Sequence, residues 1–481
     1  ITPAISILSA VEGILLIPGL GDTPQMTLMI LAGIIAIALF SFQTKGTERV
    51  AWTFGPVMVV WFLALAGFGL MALFNAPSVI LAINPLYGIN YLMENGLAGI
   101  LILSSVILCA TGSEALYADM GHLGREPIVR AWYLVFLALS LNYLGQGAFI
   151  MTHPGTENIL FEMVFSQMQL LYIPFLLLSI AATVIASQAM ISGIFSIVYQ
   201  GITTRIMPLL KIEYTSIHLR SQIYIDVMNW LLLFAVLFVI LLFRTSNNLT
   251  LAYGLAVSGD MVITGILITS IFLIRGDIIK TLLAFCVLGV NFVFLFATFS
   301  KIPNGGYISL VVASIPFAII MIYVYGQKKL GATLQPVPLD NFLEQFNKAY
   351  TSLNRISGTA LFFARDFRRL PQYIPRIMFT NNIIYDDNII VSIVRTEQPF
   401  GVTWGVTREI TTGLSIFEIY LGYMEIVDIG AILKEAEIDE KTIFYGMEEI
   451  VTTHPVWRIF AAIKRLTPSM VQFYKLPSDK I

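Results

Sequence analysis

Four carboxylates lie within or beside strongly apolar segments of this sequence, and they are the first candidates for chemistry. They are Glu12, Glu114, Asp119 and Asp260. An ionisable group inside a bilayer is costly, and such residues usually mark ion or proton pathways. For Glu12 the alternative is an interfacial carboxylate that reaches water. For Asp119, with the neighbouring His122, the alternatives are a proton exit group and a solvated loop residue.

Two hydroxyl groups lie close together at the start of the chain. Thr2 and Ser6 are four residues apart, so they share one face of a helix. Such a pair can replace part of the water shell of a cation with neutral oxygen ligands. A hydroxyl in a membrane helix more often bonds its own backbone, and that alternative stays open.

A run of small and polar residues interrupts a later apolar segment at residues 109–115, with the sequence CATGSEA. Transporters place substrate sites at broken helices, where freed carbonyls and half-helix ends meet an ion. Thr111 and Glu114 share a face if this turn is helical. The alternative is a small-residue contact between helices with a paired Glu114. We favour the ion site, because no basic residue lies in the same apolar segment.

Other polar residues also interrupt apolar segments, and such residues more often hold helices together than bind a substrate. They are Asn142, Tyr143, Gln146, Ser187, Gln188, Ser192 and Tyr253. Tyr253 and Asp260 lie in the same segment, and both are retained as further candidates for the site.

The composition of the chain requires that lipid is part of its solvent. Hydrophobic residues make up 57% of the 481 residues and charged residues only 12%, whereas a soluble domain carries about 25% charged residues. The net charge of −2 offers no basic surface for nucleic acid. The two cysteines, Cys109 and Cys286, lie in apolar runs and cannot form a disulfide framework.

Ten apolar segments are long enough, or nearly so, to span a bilayer. We predict helices at residues 3–18, 24–42, 50–74, 97–118, 131–151, 170–200, 227–243, 250–274, 281–299 and 306–326. Nine of the eleven Lys and Arg residues up to residue 326 fall in alternate loops, which the positive-inside rule assigns to the cytoplasm. The sequence therefore predicts an all-α polytopic membrane domain at 1–326 and a cytoplasmic tail.

The tail, residues 327–481, contains 34 of the 58 charged residues, with equal numbers of each sign. Apolar alternation at 388–394 and 415–420 predicts strands, and the patterns at 339–356 and 455–466 predict helices. We expect a compact α+β domain. Its sequence lacks a glycine-rich phosphate loop, a metal-spaced Cys/His cluster and a nucleophile elbow.

Several long motifs resemble one known family. They are ITPAIS with SAVEG at 1–13, GSEALYADMGH at 112–122, LNYLGQGA at 141–148, ASQAMISG at 186–193 and AYGLAV at 252–257. In this order they resemble the KUP/HAK/KT potassium transporters, over the whole membrane part and more loosely over the tail.

The resemblance implies an inverted-repeat transporter fold (LeuT-like, APC-type) of twelve spans, whose first two spans are expected to precede residue 1. It implies uptake of K+ across the cell membrane, typically in symport with H+. It further implies a homodimer formed partly through the cytoplasmic domain, and a regulatory nucleotide bound to that domain is not excluded.

The resemblance also implies roles for individual residues. Thr2, Ser6, Thr111 and Glu114 are expected to form the K+ site. Glu12 and Glu114 are expected to couple proton movement to it, with Asp119 as a further candidate. Asp260 departs from the family pattern, in which a hydroxyl or small residue is expected.

Three alternatives stay open. The first is an amino-acid or other cation transporter of the same fold, which the missing first helix would distinguish. The second is a potassium channel-like protein or ligand-gated receptor, but the sequence has no carbonyl-lined filter repeat. The third is a membrane-bound enzyme, for which the tail supplies no catalytic constellation.

Overall fold

The structure is a computed structural model, and its elements divide into two compact units. One comprises Ile1–Phe195 with Tyr214–Ser314, and the other comprises Ser196–Glu213 with Ile315–Ile481. The residues that the structure describes are 1–43, 48–112, 116, 125–156, 158–214, 223–364, 366–396, 398, 400–422, 425, 428–446, 450–467, 474, 476 and 480.

Helices dominate the part of the chain that precedes the tail. They are α1 Thr2–Glu12, α2 Gln25–Phe42, α3 Glu48–Asn75, α4 Pro85–Val106, α5 Arg125–Thr152, α6 Ile159–Gln167, α7 Gln169–Thr203, α8 Asp226–Phe243, α9 Ser246–Ile274, α10 Ile278–Phe299 and α11 Tyr307–Thr333. The 3-10 turns Gly13–Leu16, Pro77–Ile83 and Ile107–Ala110, the π turn Ile302–Gly306 and the short strands β1 Glu213–Tyr214 and β2 Ile223–Tyr224 complete this part.

All ten predicted apolar segments contain helix. Within the described residues, nine helices are long and apolar enough to cross a membrane, and Thr2–Leu16 is a shorter apolar helix. Large apolar side chains such as Phe74, Leu170 and Ile278 lie exposed on these helices. A soluble protein rarely exposes contiguous apolar surface of this extent, so the pattern is that of a multi-pass membrane protein.

The fourth predicted segment, 97–118, has the wrong bounds. α4 begins at Pro85, where the side chain of Asn84 accepts a hydrogen bond from the amide of Leu86 (3.1 Å). A proline in the first turn and an asparagine cap are a typical helix start. The helix then kinks at Gly96, where φ is +51°, so a polar stretch that resembles a loop lies inside a helix.

Helices α3 and α5 make the closest backbone contact in the first unit. A Cβ atom built on Gly69 would lie 2.5 Å from the carbonyl oxygen of Leu141, and one built on Gly145 would lie 2.6 Å from the carbonyl carbon of Gly69. Small residues allow membrane helices to approach in this way, since lipid supplies no hydrophobic force between them.

The tail contains a five-stranded sheet. Its strands are β4 Ile356–Ala364, β6 Tyr385–Thr396, β7 Val402–Thr411, β8 Leu414–Gly422 and β9 Glu440–Phe444. Their order is β7-β8-β6-β4-β9. All neighbours are parallel except the hairpin pair β7 and β8.

Helices pack on both faces of this sheet. They are α12 Leu339–Ser352, α13 Tyr373–Pro375 and α14 Ile429–Glu435. Helix α15 Pro455–Leu466, a π turn Arg376–Thr380 and a short pair of strands, β3 Val337–Pro338 with β5 Arg369–Leu370, complete the domain. Phe362 on β4 packs with Phe342 and Phe346 of α12. Phe363, the next residue on the strand, packs with Leu433 of α14 on the other face.

The predicted strands and helices of the tail are confirmed, with one corrected boundary. The predicted helix 339–356 ends at Ser352, because Ile356 begins β4 and pairs with Tyr385. Strands β4, β7 and β9 and helix α14 were not predicted.

Candidate functional site

The predicted break in the fourth apolar segment is present. The 3-10 turn Ile107–Ala110 ends at Thr111, whose backbone is extended, and Gly112 has φ of +100°. This conformation favours glycine, because a Cβ atom would be strained there. The Thr111 hydroxyl donates to the carbonyl of Leu108 (3.1 Å), which leaves its oxygen lone pairs for another partner. Glu114, Asp119 and His122 lie outside the described residues.

The side chain of Tyr143 also reaches this break. Its hydroxyl, on α5, lies 3.4 Å from the carbonyl oxygen of Cys109 and donates to it. The sequence analysis grouped Tyr143 with residues that hold helices together. Its partner is a carbonyl at the end of the broken helix, which is the kind of group that transporters use around an ion.

Thr2 and Ser6 are half-buried on α1. Within the described part of the chain, neither hydroxyl has a hydrogen-bond partner. Other hydroxyls do bond their own helix backbone, as Ser258 does with the carbonyl of Leu255 (3.1 Å). The backbone-bonded alternative is therefore not observed at these two positions, and both oxygens keep their capacity as ligands.

Glu12 joins the end of α1 to the start of α9. One carboxylate oxygen accepts a hydrogen bond from the backbone amide of Ser246 (2.9 Å), and the other accepts one from the Ser246 hydroxyl. A carboxylate at a helix N-terminus is favoured by the unpaired amides and by the helix dipole. Glu12 thus acts as a cap supplied by another helix, rather than as a carboxylate that only reaches water.

The pairing of Glu12 with Ser246 fixes the depth of other residues. α1 and α9 contact each other, and Glu12 at the end of α1 meets Ser246 at the start of α9. At about 1.5 Å per residue, Ser6 lies roughly 9 Å below Glu12 and Thr2 roughly 15 Å below it. Tyr253 lies at about 10 Å on α9 by the same count, close to the level of Ser6, and Thr2 lies roughly 5 Å deeper.

The broken helix reaches α9 at this level too. A Cβ atom built on Gly254 would lie 3.5 Å from the Ser104 carbonyl oxygen and 3.7 Å from the Ile107 side chain. Thr111 directly follows the 3-10 turn Ile107–Ala110. Both this turn and α1 contact α9. Thr2, Ser6 and Thr111 therefore lie on elements that meet around one stretch of α9.

Two candidates from the sequence do not lie at this level. Glu12 is at the opposite end of α1, and Asp260 is exposed and about 21 Å along α9 from Ser246 at 1.5 Å per residue. Tyr253, on the same helix α9, is buried. Among the described residues no group of three or more His, Cys, Asp or Glu could hold a metal ion.

Sequence reasoning missed two polar partners. Ser246 escaped notice because it is 234 residues away from Glu12, although the run Thr-Ser-Asn-Asn at 245–248 is a typical helix cap. From the sequence, Lys301 is only one of the basic residues in the loops. In the structure its ammonium donates to the hydroxyl of Ser105 (3.1 Å), six residues before Thr111. No local sequence signal indicates that second contact.

We expect Glu12 and Ser246 to be coupled in stability. Ser246→Ala removes the hydroxyl donor, and a hydrogen bond to a charged group is worth about 1.5–3 kcal/mol. Thermal unfolding of the two single variants and of the double variant with Glu12→Gln would give the coupling energy. Thr250→Ala is the matched control, because that hydroxyl bonds only the carbonyl of Asn247 in its own helix (2.6 Å). Strictly additive effects of Glu12→Gln and Ser246→Ala would contradict the assignment.

The parallel strands β4 and β9 of the tail end side by side. Ligands of such sheets bind where the strand order reverses, and β8-β6-β4-β9 reverses between β4 and β9. Here the Tyr373 hydroxyl donates to the carbonyls of Phe363 (2.6 Å) and Phe444 (3.2 Å). Burial raises the pKa of Tyr373, so the phenol stays neutral and keeps its proton to donate. The Tyr373 hydroxyl thus occupies the end of the sheet where the strand order reverses.

Comparison with known proteins covers nearly the whole chain. Residues 1–328 match the family model described as the K+ potassium transporter integral membrane domain, and residues 357–481 match the K+ potassium transporter C-terminal domain. The chain is 58% identical over all 481 residues to the probable potassium transport system protein Kup of Methanosarcina acetivorans, of which it covers 80%. It is 56% identical over the same length to the probable potassium transport system protein Kup 2 of Geobacter sulfurreducens, with 80% covered. No solved structure matches.

Proposed function

Since the chain belongs to the K+ potassium transporter family, we propose that it takes up potassium ions in symport with protons. Transport of potassium, rather than an enzymatic reaction, is the activity of the family. The coupling to protons, the ion site and the direction of insertion are the parts that we propose.

The proposed K+ site consists of Thr2, Ser6, Thr111 and Glu114. The observation that supports it best is that the hydroxyls of Thr2 and Ser6 have no hydrogen-bond partner among the described residues, on a helix that contacts α9 near the broken helix. Hydroxyl and carbonyl oxygens can replace the water shell of K+ without the tight geometry that a smaller cation demands. Tyr253 is a further candidate ligand close to the level of Ser6. Asp260 is a candidate only for the path that the ion would take from the site toward the cytoplasm.

Three carboxyls are proposed to carry the proton. Glu12 lies at the outer end of α1, Glu114 follows the break, and Asp119 comes next along the chain. A proton that reaches Glu114 removes the negative charge beside K+ and favours release of K+ to the inside. The proton then leaves through Asp119, so both cations move inward.

Reconstituted vesicles give the test of symport. We expect an inward proton gradient to stimulate K+ uptake at a clamped membrane potential, and an inward K+ gradient to acidify the vesicle interior. A protonophore should abolish the first effect. Uptake that is indifferent to the proton gradient, with no movement of protons, would mean that the chain carries K+ alone.

The hydroxyls of α1 give a second prediction. Thr2→Val and Ser6→Ala each remove one oxygen ligand, and each should weaken apparent K+ affinity by about tenfold, or about 1.4 kcal/mol. Uptake rates measured over a series of K+ concentrations would show the change. Thr269→Val is the control, because its hydroxyl already bonds the carbonyl of Gly265 (2.7 Å) on the inner part of α9. Unchanged affinity in both α1 variants would exclude the hydroxyls as ligands.

The remaining proposals concern architecture. We propose the inverted-repeat transporter fold (LeuT-like, APC-type) for residues 1–326, in the plasma membrane or inner cell membrane, with residues 327–481 as a cytoplasmic domain. The alternation of basic loops supports this orientation. A homodimer formed partly through the cytoplasmic domain, and a regulatory nucleotide bound to it, stay predictions.

A further inference from the structure

Helix α15 of the tail packs on the end of α11. Its Phe460 ring lies over Gly326, where a Cβ atom would be 2.6 Å from the ring, and its centroid is 6.0 Å from that of Tyr323. The Lys329 ammonium lies 4.7 Å from the centre of the Trp457 ring. Tyr323 and Gly326 belong to the last apolar turns of a membrane-crossing helix, and Lys329 follows them.

This contact places α15 at the level where a membrane span gives way to charged residues. Trp and Tyr are enriched at that level, and Lys side chains extend from helix ends toward the headgroups. Trp457, Tyr323 and Lys329 together form such an arrangement. α15 therefore packs where the apolar run of α11 gives way to charged residues.

A second face of α15 is apolar and remains exposed. Phe460 and Ala461 are buried, whereas Val456, Ile459 and Leu466 are 38%, 48% and 85% exposed. With Ile463, which is half-buried, these residues are spaced 3, 4 and 3 apart, so they form one stripe at helical spacing. The stripe lies beside the face that packs on α11.

The remaining face of α15 is basic. Arg458 and Arg465, seven residues apart, lie on this face. Lys464, four residues after Phe460, lies on the face that packs on α11, and Lys328 and Lys329 lie in the last turns of α11. α15 itself contains no acidic residue. An apolar stripe beside basic residues is the pattern of helices that lie in the interface of an anionic membrane. Each basic residue near such a surface contributes about 1 kcal/mol of attraction.

We propose that α15 is an interfacial membrane anchor of the tail, which inserts Val456, Ile459, Ile463 and Leu466 between anionic phospholipids next to α11. The occupant of the exposed stripe is then the bilayer that surrounds α11. A membrane is favoured over a second copy of the chain, because the stripe adjoins the end of a span and is bordered by positive charge.

Depth measurement on the full chain tests this proposal. Cys109 and Cys286 are replaced by alanine, and single cysteines are placed in turn at residues 456, 458, 459, 463, 465 and 466. Each carries a fluorophore, and each protein is reconstituted into vesicles that contain phosphatidylglycerol and lipids with brominated acyl chains. We expect quenching to follow the helical period, with roughly twofold or greater loss of fluorescence at 456, 459, 463 and 466 and little at 458 and 465.

The charge contribution has its own measurement. Arg458→Gln should lower the equilibrium constant for membrane insertion of α15, measured by quenching of the fluorophore at position 459. The expected decrease in anionic vesicles is about fivefold, which corresponds to about 1 kcal/mol. The substitution should have no such effect in phosphatidylcholine vesicles. Absence of quenching at all six positions in anionic vesicles would overturn the proposal. Disulfide crosslinking between copies at 459, without quenching there, would assign the stripe to a second copy of the chain instead.

Discussion

Replacement of Gly145 by alanine is expected to prevent stable assembly of the membrane helices. The added Cβ atom would lie 2.6 Å from the carbonyl carbon of Gly69, and the obstacle is backbone rather than a movable side chain. α3 and α5 would have to separate along a contact where Asn142 is also buried. Overpacking costs about 1–3 kcal/mol, and we expect the upper end of this range because neither helix backbone can yield locally.

Thermal unfolding and size-exclusion chromatography in detergent measure this effect. The matched control is Gly67→Ala on α3, where an added Cβ atom would have nothing within 4 Å. Alanine is favoured over glycine inside a helix by about 0.5–1 kcal/mol, so Gly67→Ala should leave the midpoint unchanged or raise it. Equal midpoints for Gly145→Ala and Gly67→Ala would show that the two helices are free to adjust.

The membrane part of the fold was largely predictable from one physical signal. A bilayer demands long apolar segments with internally bonded backbone, and such segments stand out in a sequence. The signal fails where polar residues lie inside a helix, as at Glu94-Asn95-Gly96 in α4. A kink at Gly96 keeps most of the backbone hydrogen bonds of α4. Residues that resemble a turn in the sequence therefore lie within a membrane span.

The tail was predictable only where strands alternate. In β8, Ser415 and Glu418 interrupt the apolar residues, and this partial alternation indicates a strand. β4 is central and covered on both faces, so residues 360–364 form an unbroken apolar run. Such a run does not distinguish a buried strand from a buried helix. β4 was missed for that reason.

The candidate site was predictable in part, because its residues have local signatures. The helix break follows from Thr111-Gly112, since glycine permits the positive φ that an L-residue avoids. The shared face of Thr2 and Ser6 follows from helical spacing alone. The partner of Glu12 does not, because Ser246 is 234 residues distant and only tertiary packing brings them together.

Glu114 should make potassium transport depend on pH, and its surroundings in the sequence explain why. No basic residue lies in its apolar segment, and the nearest Lys or Arg residues along the sequence are Arg125 and Arg130. Lys301 reaches the same segment at Ser105, nine residues before Glu114. Arg130 is exposed and pairs with Glu126 (3.1 Å), so that cation is engaged on the surface. A carboxyl in such a place is satisfied either by a proton or by an adjacent K+.

These two states predict how affinity changes with pH in the native protein. Protonation removes the negative charge beside K+, so apparent K+ affinity should fall as the pH falls through the range in which Glu114 titrates. Linkage of one proton to one ion gives a slope of up to about tenfold per pH unit. Glu114→Gln has one charge state at every pH, so it should transport with a flat pH profile and with weaker affinity for K+.

Uptake measured as a function of K+ concentration at several pH values decides the role of Glu114. Glu126→Gln is the control, because it removes an acid from an exposed pair and leaves the apolar segment intact. That variant should keep the pH profile of the native protein, since its carboxylate lies in water. If Glu114→Gln retains normal affinity and the native response to a proton gradient, Glu114 is a structural acid. Proton coupling would then belong to Glu12 or Asp119, and the same series on Glu12→Gln and Asp119→Asn would assign it.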